Sequence, residues 1–594
     1  MATAVAEKPK PGQPPAPGSL YRPLQPDSEP AQVLRQHCDQ RLGSLHADRM
    51  SWWTHWREIA DYLIPRRYKW LITPNQATRG SPINQRIIDN TGTIALRVLA
   101  AGMMAGITSP GRPWFKMGLD NPDLMKLPSV KAWLDECTAR MRTVLAESNF
   151  YTSLGTLYED LGAFGTGCMI IYQDFEDVVR CYNSCAGEYY LANSDRLQID
   201  TFYRQFVMTT KQVASKFGLE NVSTTISQAV QSKGALLARE VIIAHGIEPN
   251  DSLTDHVRGM RGFPFREVYW EYGSGTHTYL SIQGFHENPV IAVRWSIVGN
   301  DAYGRGPGMD ALGDIKQLQV EQKRKAQAID KVVNPPMLAD SSLRNEPATL
   351  LPGGVTYVSM TAGTVGFKPI YEVKPEIEQM MKDIQECQSR VDAAFYKDLF
   401  MMISDLDTVR SATEIDQRKE EKLIQLGPVL ERFEGECLDP ALERVFNIML
   451  RGRLMPPIPP ELQGQHVRPE YISILAQAQR AAMTTGLERF AQFVGNLIAV
   501  NPEAADNMDI DELIEEYADM LNVPANVVRP MAEVLQIRQQ RAQQQQQAQA
   551  LQETMAAVQG AKTLSETDVG GGQNALALMA GGGRGAPGQA GAAA

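Results

Sequence analysis

The chain has 594 residues, 43 % hydrophobic and 21 % charged, the proportions of a folded globular protein with room for roughly two to four domains. A formal net charge of −11 excludes a protein that coats nucleic acid through a basic surface, and seven cysteines are no disulfide framework but reduced thiols made in a cytoplasm. No signal peptide or membrane span is expected, since the most apolar stretch, Ile94 to Ile107, is too short to cross a bilayer and carries Arg97.

The first 30 residues are crowded with proline and are expected to be disordered. From Ala31 to Leu63 the spacing predicts a helix carrying Trp52, Trp53 and Trp56, read as core or interface anchors rather than a base-stacking platform, and Ile64-Pro65 stops it. Further helices are predicted over about Asp89–Ile107, Ser129–Ser148 and Tyr151–Ala163. From Gly167 the pattern changes. The runs "CMIIYQDF", "LQIDTFYRQFVM", "REVIIAHGIEP", "FREVYWEYG", "HTYLSIQGF" and "PVIAVRWSIVG" alternate apolar and polar residues or are rich in β-branched and aromatic types, and they read as strands. A helix interrupts them at "TTKQVASKFG", with Thr209 or Thr210 as its N-cap. Ala31 to Asn300 is therefore an α+β domain.

A glycine-rich run from Gly304 to Gly308 then leads into a long helix, Met309 to Val333. Leu312, Ile315, Leu318, Ala326, Ile329 and Val333 form its apolar stripe, with polar Gln322 filling one turn. Pro335 to Ile370 holds the strand-like runs "MLAD", "VTYVSM" and "GFKPI". A second long helix, Lys374 to Lys397, repeats the stripe with Ile377, Met381, Ile384, Val391 and Phe395. Two helices thus bracket a small β element. A polar loop, "LFMMISDLDTVRS", precedes a helical pattern over Ala412–Leu450, where Gly427-Pro428 predicts a kink, and "PPIPP" ends the segment. From Glu470 the chain reads as helical to about Leu551, its Gln/Ala run having good helix propensity and little to bury; from Gly570 it is Gly/Ala-rich and expected to be disordered.

The glycines invite a phosphate-binding reading, which fails. "GRGPGMDALGD" lacks the GK[ST] ending that supplies the phosphate-binding lysine, and "GAFGTG" (Gly162–Gly167) follows a helix and precedes a strand, the reverse of a dinucleotide site. Glycine in these places serves close packing or turn geometry. No HExxH or GxSxG motif is present, Cys181 and Cys185 have no second pair, and nothing selects a catalytic pair of carboxylates. No catalytic residue, metal site or cofactor is assigned, and an enzyme is not expected.

The segments "WREIADYLIPRR", "GMMAGITSPGRPWFKMGL", "FYRQFVMTTKQVASKFG", "YGRGPGMDALGDIKQLQVEQKRKAQAIDKVVNPPMLAD", "LLPGGVTYV" and "SATEIDQRKEEKLIQLGPVLERFEGECLDPALERVFNIM" resemble, together and in order, the portal family of short-tailed bacteriophages, also called head-to-tail connectors. The resemblance covers roughly Gln36 to Val534. It implies a ring-forming α+β portal fold, usually of about twelve copies, at one vertex of a virion whose parts are made in the host cytoplasm. The ring would be the conduit for double-stranded DNA during packaging and ejection. The implied division is a disordered tail (1–30), a wing (31–303 and 412–469), a first stem helix (304–333), a clip (334–371), a second stem helix (372–397), a channel loop (398–411), a helical crown or barrel (470–551) and a flexible tail (552–594). Gly304, Gly306 and Gly308 would form the turn leading into the stem. The implied partners are other copies of the chain, the DNA, the large terminase ATPase on the clip, later the tail adaptor proteins there, and the major capsid and scaffolding proteins on the wing, with no membrane. The alternative is a tail-tube adaptor or other ring-forming structural virion protein, expected to be shorter and without the paired helices.

A conduit needs weak, evenly spread contacts, because a protein that neutralises many phosphates holds DNA tightly. The first long helix sets Lys316, Lys323, Arg324, Lys325 and Lys331 against Asp314, Glu321 and Asp330, while the second has a surplus of acid. Lys323, Arg324, Lys325 and Lys331, with Asp405, Asp407 and Arg410 in the loop, are the candidates to line a channel. For the basic residues, salt bridges between neighbouring helices are an equal alternative.

Overall fold

The computed structural model describes residues 29–67, 85–125, 127–232, 234–250, 263–274, 279–333, 337–339, 367–369, 376–404, 426–462, 464–472, 490–497, 511, 513–514 and 531–566. They belong to two units, Met1–Ala482 and Met483–Ala594.

The first unit opens with helices α1 (Glu29–Tyr62) and α2 (Thr91–Gly106), strand β1 (Phe115–Leu119) and helices α3 (Pro128–Glu147) and α4 (Phe150–Phe164). Strands β2 (Thr166–Asp174), β3 (Val178–Ser184), β4 (Tyr189–Asn193) and β5 (Ile199–Thr209) follow, then helices α5 (Thr210–Phe217) and α6 (Thr224–Ser232). Next are strands β6 (Glu240–Pro249), β7 (Phe265–Glu271), β8 (Tyr279–Phe285) and β9 (Val290–Arg294). Helix α7 (Leu312–Val333), strands β10 (Met337–Ala339) and β11 (Phe367–Pro369), helices α8 (Ile377–Ala394), α9 (Lys397–Ser404) and α10 (Asp439–Arg451) and strand β12 (Val467–Tyr471) complete the unit. The chain is thus a mixture of helix and sheet, as its sequence pattern leads one to expect.

Helix α4 is apolar almost all round, and a helix of that kind must be buried. Leu154, Leu157, Tyr158, Leu161, Ala163 and Phe164 are all withdrawn from solvent, each large side chain worth about 1.5–3 kcal/mol of burial. Around α4 pack α2, the end of α1 with Trp56, Ile59 and Leu63, and a three-stranded antiparallel sheet in the order β3-β2-β9. Trp56 is fully buried and Trp52 packs beside it on Tyr303, so these tryptophans act as core anchors. A second antiparallel sheet has the order β4-β5-β6-β7-β8. Helix α5 starts where expected: the Thr209 hydroxyl accepts from the Gln212 amide and the Gln212 side chain accepts from the Thr209 amide, a reciprocal cap. β1 pairs antiparallel with β12, Phe115 opposite Tyr471, so an early and a late segment of the unit meet.

Between the sheets lies a buried polar network. Arg204 Nε donates to His245 Nδ1 (3.0 Å), which leaves the ring's proton on Nε2 to donate to Glu267 Oε1 (2.9 Å). Tyr172 also donates to Glu267, and the Tyr269 ring stacks on His245 at 3.9 Å. Burial pushes the His245 imidazole down to about 4, with the Arg204 charge adding to the effect and Glu267 opposing it. The histidine is therefore held neutral, with a folded pKa below its unfolded value, and the stability it contributes above pH 6.5 is lost as pH falls toward 4. The wild type should lose about 3 kcal/mol more than a His245→Gln variant between pH 7 and pH 4. Urea unfolding at both pH values checks this, and parallel losses would show that His245 is not the titrating group.

The helix leading into α10 is described from residue 426, so the kink expected at Gly427-Pro428 falls at the edge of the described residues; further on, the helix has a π-helical turn at Glu434–Leu438. Its cause is Pro440, whose ring would collide with the carbonyl four residues back in a regular helix; widening the turn relieves the clash. The segment read as a polar loop from Asp398 opens instead as α9, because Leu399 and Phe400 bury, Phe400 on Gly102 of α2.

In the second unit, residues 490–497 are helical and helix α11 (Met531–Glu566) continues well beyond Leu551 into the segment expected to be flexible. Glutamine, alanine and methionine sustain it through Glu566. Within this unit Arg538 forms two bonds to the Asp511 carboxylate, of 2.6 and 2.7 Å. All seven cysteines are free. No helix among the described residues is long and apolar enough to cross a membrane, and no group of His, Cys, Asp or Glu among them is placed to hold a metal ion.

Candidate functional site

The two glycine-rich runs that fail as phosphate loops meet each other. Helix α4 ends at Gly165 in the left-handed conformation, φ 70°, its amide bonded to Leu161 O at 2.9 Å. Against this end lies the segment that leads to α7. A methyl group on Gly304 would stand 2.4 Å from Gly165 O, one on Gly306 2.8 Å from Gly165 Cα, and one on Gly308 2.4 Å from Ala163 O. A methyl on Gly165 would stand 2.5 Å from the carbonyl carbon of Arg305. None of Gly304, Gly306 and Gly308 has a positive φ, so glycine is required here for backbone lying on backbone rather than for an unusual turn. Thr166 Oγ1 accepts from the Gly304 amide at 2.8 Å, and Arg305 forms an antiparallel bridge with Ser296. Pro307 then begins a single helical turn, Pro307–Asp310, whose bonds continue into α7.

From this seam α7 and α8 run side by side as an antiparallel pair. Their shared core is short: Leu318, Ile384 and Cys387, with Ile315 and Val391 continuing it into the main core. The polar residue noticed in the apolar stripe has a purpose. Gln322 and Gln388 both donate to Asp89 Oδ2, at 2.8 and 2.9 Å, while Thr91 donates to Asp89 Oδ1 through both amide (2.8 Å) and hydroxyl (2.5 Å). Gln319, buried, accepts from the amides of Ile88 and Asp89 and donates to Asp89 O. One carboxylate thus ties the start of α2 to both long helices. Burial alone would raise its pKa; the bonds from Thr91, Gln388 and Gln322 overcome that and hold it below the usual range. Its contribution is present above that range and fades as acid protonates it. Asp89→Ala should lower unfolding stability by about 2–3 kcal/mol and speed amide exchange at the α7–α8 root. Exchange at wild-type rates would show that the tie is idle.

Of the expected channel residues, Asp405, Asp407 and Arg410 lie outside the described residues. Lys323, Arg324, Lys325 and Lys331 lie on α7 beyond its buried root, and none forms an ion pair with another described residue of the same chain. Their neighbours nearer the root are paired: Lys316 with Glu58 at 2.7 Å, Asp314 with Arg390 at 3.0 Å. The four do not share a face. Gly313, Gln317, Val320, Arg324, Gln327 and Lys331 recur at spacings of three and four, all are exposed, and they form one stripe along α7. Lys325, half-buried, stands seven residues on from Leu318 and so on the side that faces α8, while exposed Lys323 lies on a different side. At the far end of the pair, β10 and β11 form an antiparallel couple, Met337 opposite Pro369.

Gly165, Asp89, Gln319 and Gln388 were not singled out in the sequence. "GAFGTG" and Gln322 were the signals available for them: glycines with no ligand to bind and a glutamine where a stripe should be apolar.

Residues 35–528 match the family described as bacteriophage head to tail connecting protein. The chain is 43 % identical over 539 residues to the portal protein of Salmonella phage epsilon15, covering 90 % of this chain and 96 % of that one. It is 41 % identical over 536 residues to the probable portal protein of Bordetella phage BPP-1, covering 90 % and 95 %. Among solved structures, the virion of a native gene transfer agent particle aligns with a TM-score of 0.30 at 9 % identity, covering 68 % of this chain and 86 % of that one, a likeness too slight to bear on the fold.

Proposed function

Given that the chain belongs to the family of bacteriophage head to tail connecting proteins, we propose that it is a phage portal: a ring at one capsid vertex through which double-stranded DNA enters and leaves the head. The observation that carries this reading is the match along nine-tenths of the chain to proteins bearing the portal name. The pair α7 and α8 would be the stem, the β10–β11 end the clip, and the rest of the first unit the wing, with the crown beginning beyond Tyr471. Glu470, read as the start of the crown, pairs instead with Lys116 of β1, which favours setting the boundary a little later. The segment after α9 would be the channel loop. The large terminase ATPase and later the tail adaptors would meet the clip, and capsid and scaffolding proteins the wing. The chain itself would contribute no catalytic step; energy for DNA movement would come from the docked motor.

Helix α11 supports an oligomeric second unit. Val534 and Ile537, and after a polar interval Ala548, Leu551, Met555 and Val558, lie on one side of the helix, and Leu551, Met555 and Val558 are exposed in the single chain.

Native mass measurement with electron-microscope class averages tests the reading. A ring of twelve 65.8 kDa copies would weigh about 790 kDa and show a central hole wide enough for duplex DNA. A species without a hole, persisting when the scaffolding protein is added, would overturn it.

A further inference from the structure

Helix α10 stops before the prolines that follow it. The Leu454 amide bonds to Met449 O at 2.9 Å and the Arg453 amide to Leu450 O at 3.1 Å, which closes the helix end. Pro456, Pro457, Pro459 and Pro460 are therefore not needed as a stop, and what they do is fix the backbone. Each proline holds its own φ at about −65° and pushes the residue before it out of the helical region, which confines Met455–Pro459 to extended, polyproline II-like backbone. Such a helix has about three residues per turn and no internal hydrogen bonds, so positions three apart share a ridge. Exposure follows the same period. Pro456 and Pro459 are half-buried, Pro457 and Pro460 are exposed, and Ile458 on the third ridge is 47 % exposed. Both ends are clamped: Met455 and Leu462 are buried in the main core, Trp133 Nε1 donates to Pro456 O at 3.2 Å, and the Leu462 amide donates to Pro459 O at 3.0 Å.

We propose that Pro456–Pro460 is a docking ridge for a second protein whose surface carries a shallow groove lined with Trp or Tyr side chains and rimmed by acid at one end. Flat aromatic rings accept the proline ridge and the neighbouring Ile458, and a segment already held in this conformation loses little freedom on binding. One ridge rests on the chain's own body and the other two face outward, the division that such a groove requires. The acid rim follows from charge. Arg453, three residues before Pro456, is exposed and forms no ion pair with a described residue, whereas Arg451 is held by Glu287 at 2.6 Å. Exposed Glu461 stands at the other end, so the ridge runs from a basic to an acidic terminus and a groove can read it in one direction. Arg453 has φ 56°, at the helix-end position that glycine fills at least cost. The arginine there lowers the stability of the free chain and sets an unpaired cation beside an apolar ridge.

The test uses the full-length protein and, as stand-ins for the partner, a panel of SH3 domains, whose aromatic grooves have this chemistry. At least one domain should bind the wild type, read by its change in tryptophan fluorescence. The P457A/P460A variant should weaken that binding by more than about tenfold. R453G should weaken it on the order of tenfold, with the difference from wild type shrinking as salt is raised. R453G should also unfold at the wild-type temperature or slightly above, because glycine suits the left-handed conformation, so its loss of binding cannot come from misfolding. If no domain binds, or the proline and arginine variants bind as well as the wild type, the ridge is not a docking site. In particles assembled in cells, p-benzoylphenylalanine in place of Ile458 should cross-link on illumination to a second protein beside its Trp or Tyr side chains. No cross-link, or cross-links only to other copies of this chain, would overturn the proposal.

Discussion

Gly308→Val should cost the free protein about 4 kcal/mol or more and leave little native α7–α8 pair in solution. Overpacking a core usually costs about 1–3 kcal/mol, because side chains shift to make room. Here the obstacle 2.4 Å from the new carbon is the Ala163 carbonyl oxygen, part of the α4 backbone, and it has no rotamer to retreat into. The matched control is Gly313→Val on the exposed stripe of α7. Nothing stands within 4 Å of its added carbon, and valine is a slightly better helix former than glycine, so that variant should be neutral or mildly stabilised. Thermal unfolding of both variants decides the matter. Equal midpoints would mean that the contact with α4 does not select glycine.

Arg294→Ala should cost a similar amount, about 3–5 kcal/mol. The Arg294 guanidinium is buried at the edge of β9 and grips Glu436 through Nε (3.2 Å) and a second nitrogen (2.6 Å). It also donates to Leu197 O, Asp301 O and the Asn193 side chain. Removing it strands several acceptors and leaves the Glu436 carboxylate with the amide of residue 294, which bonds it at 2.9 Å, and Arg432 4.0 Å away. Glu436 sits in the π turn, so the loss loosens the joint between the late helix α10 and the earlier sheet. Arg294→Lys keeps the charge but not the planar fork, and should recover less than half of the loss. In the double variant R294A/E436A the second change should add little. A full additive loss would show that the two residues do not act as a pair.

The readable part of this fold was the part whose cause is local. Six strand runs, from "CMIIYQDF" to "PVIAVRWSIVG", coincide with β2 and β5 to β9, because alternation along a half-buried strand is written in neighbouring residues. β1 and β12 were missed because each is short and makes sense only with the other: Met117 stands opposite Pro469, a residue that speaks against a strand until its edge position is known. β3 was missed as well, although Val179 and Cys181 are buried and Arg180 and Tyr182 exposed in alternation; its first residue, Val178, has φ 67°. The glycines of the seam read one run at a time as serving close packing or a turn, whereas their partnership is a matter of contact between remote segments. The same holds for the basic residues of α7. Sequence lists them as one cluster, and only the position of α8 sets Lys325 on the side facing it and Arg324 and Lys331 on the exposed stripe.

The seam has a mechanical consequence. A joint made of side chains has slack, because rotamers can absorb a small rotation before anything else moves. Here the polypeptide of Gly304–Gly308 rests on the polypeptide of Ala163–Gly165, and the Asp89 tie, made by Gln319 and Gln322, braces the pair about three to four turns further along α7. A lever rooted in this way has no play. Torque applied at the tip of α7 would be delivered directly to α4, and through the Gly162 contact with Leu96 and Leu99 to α2, at the centre of the body.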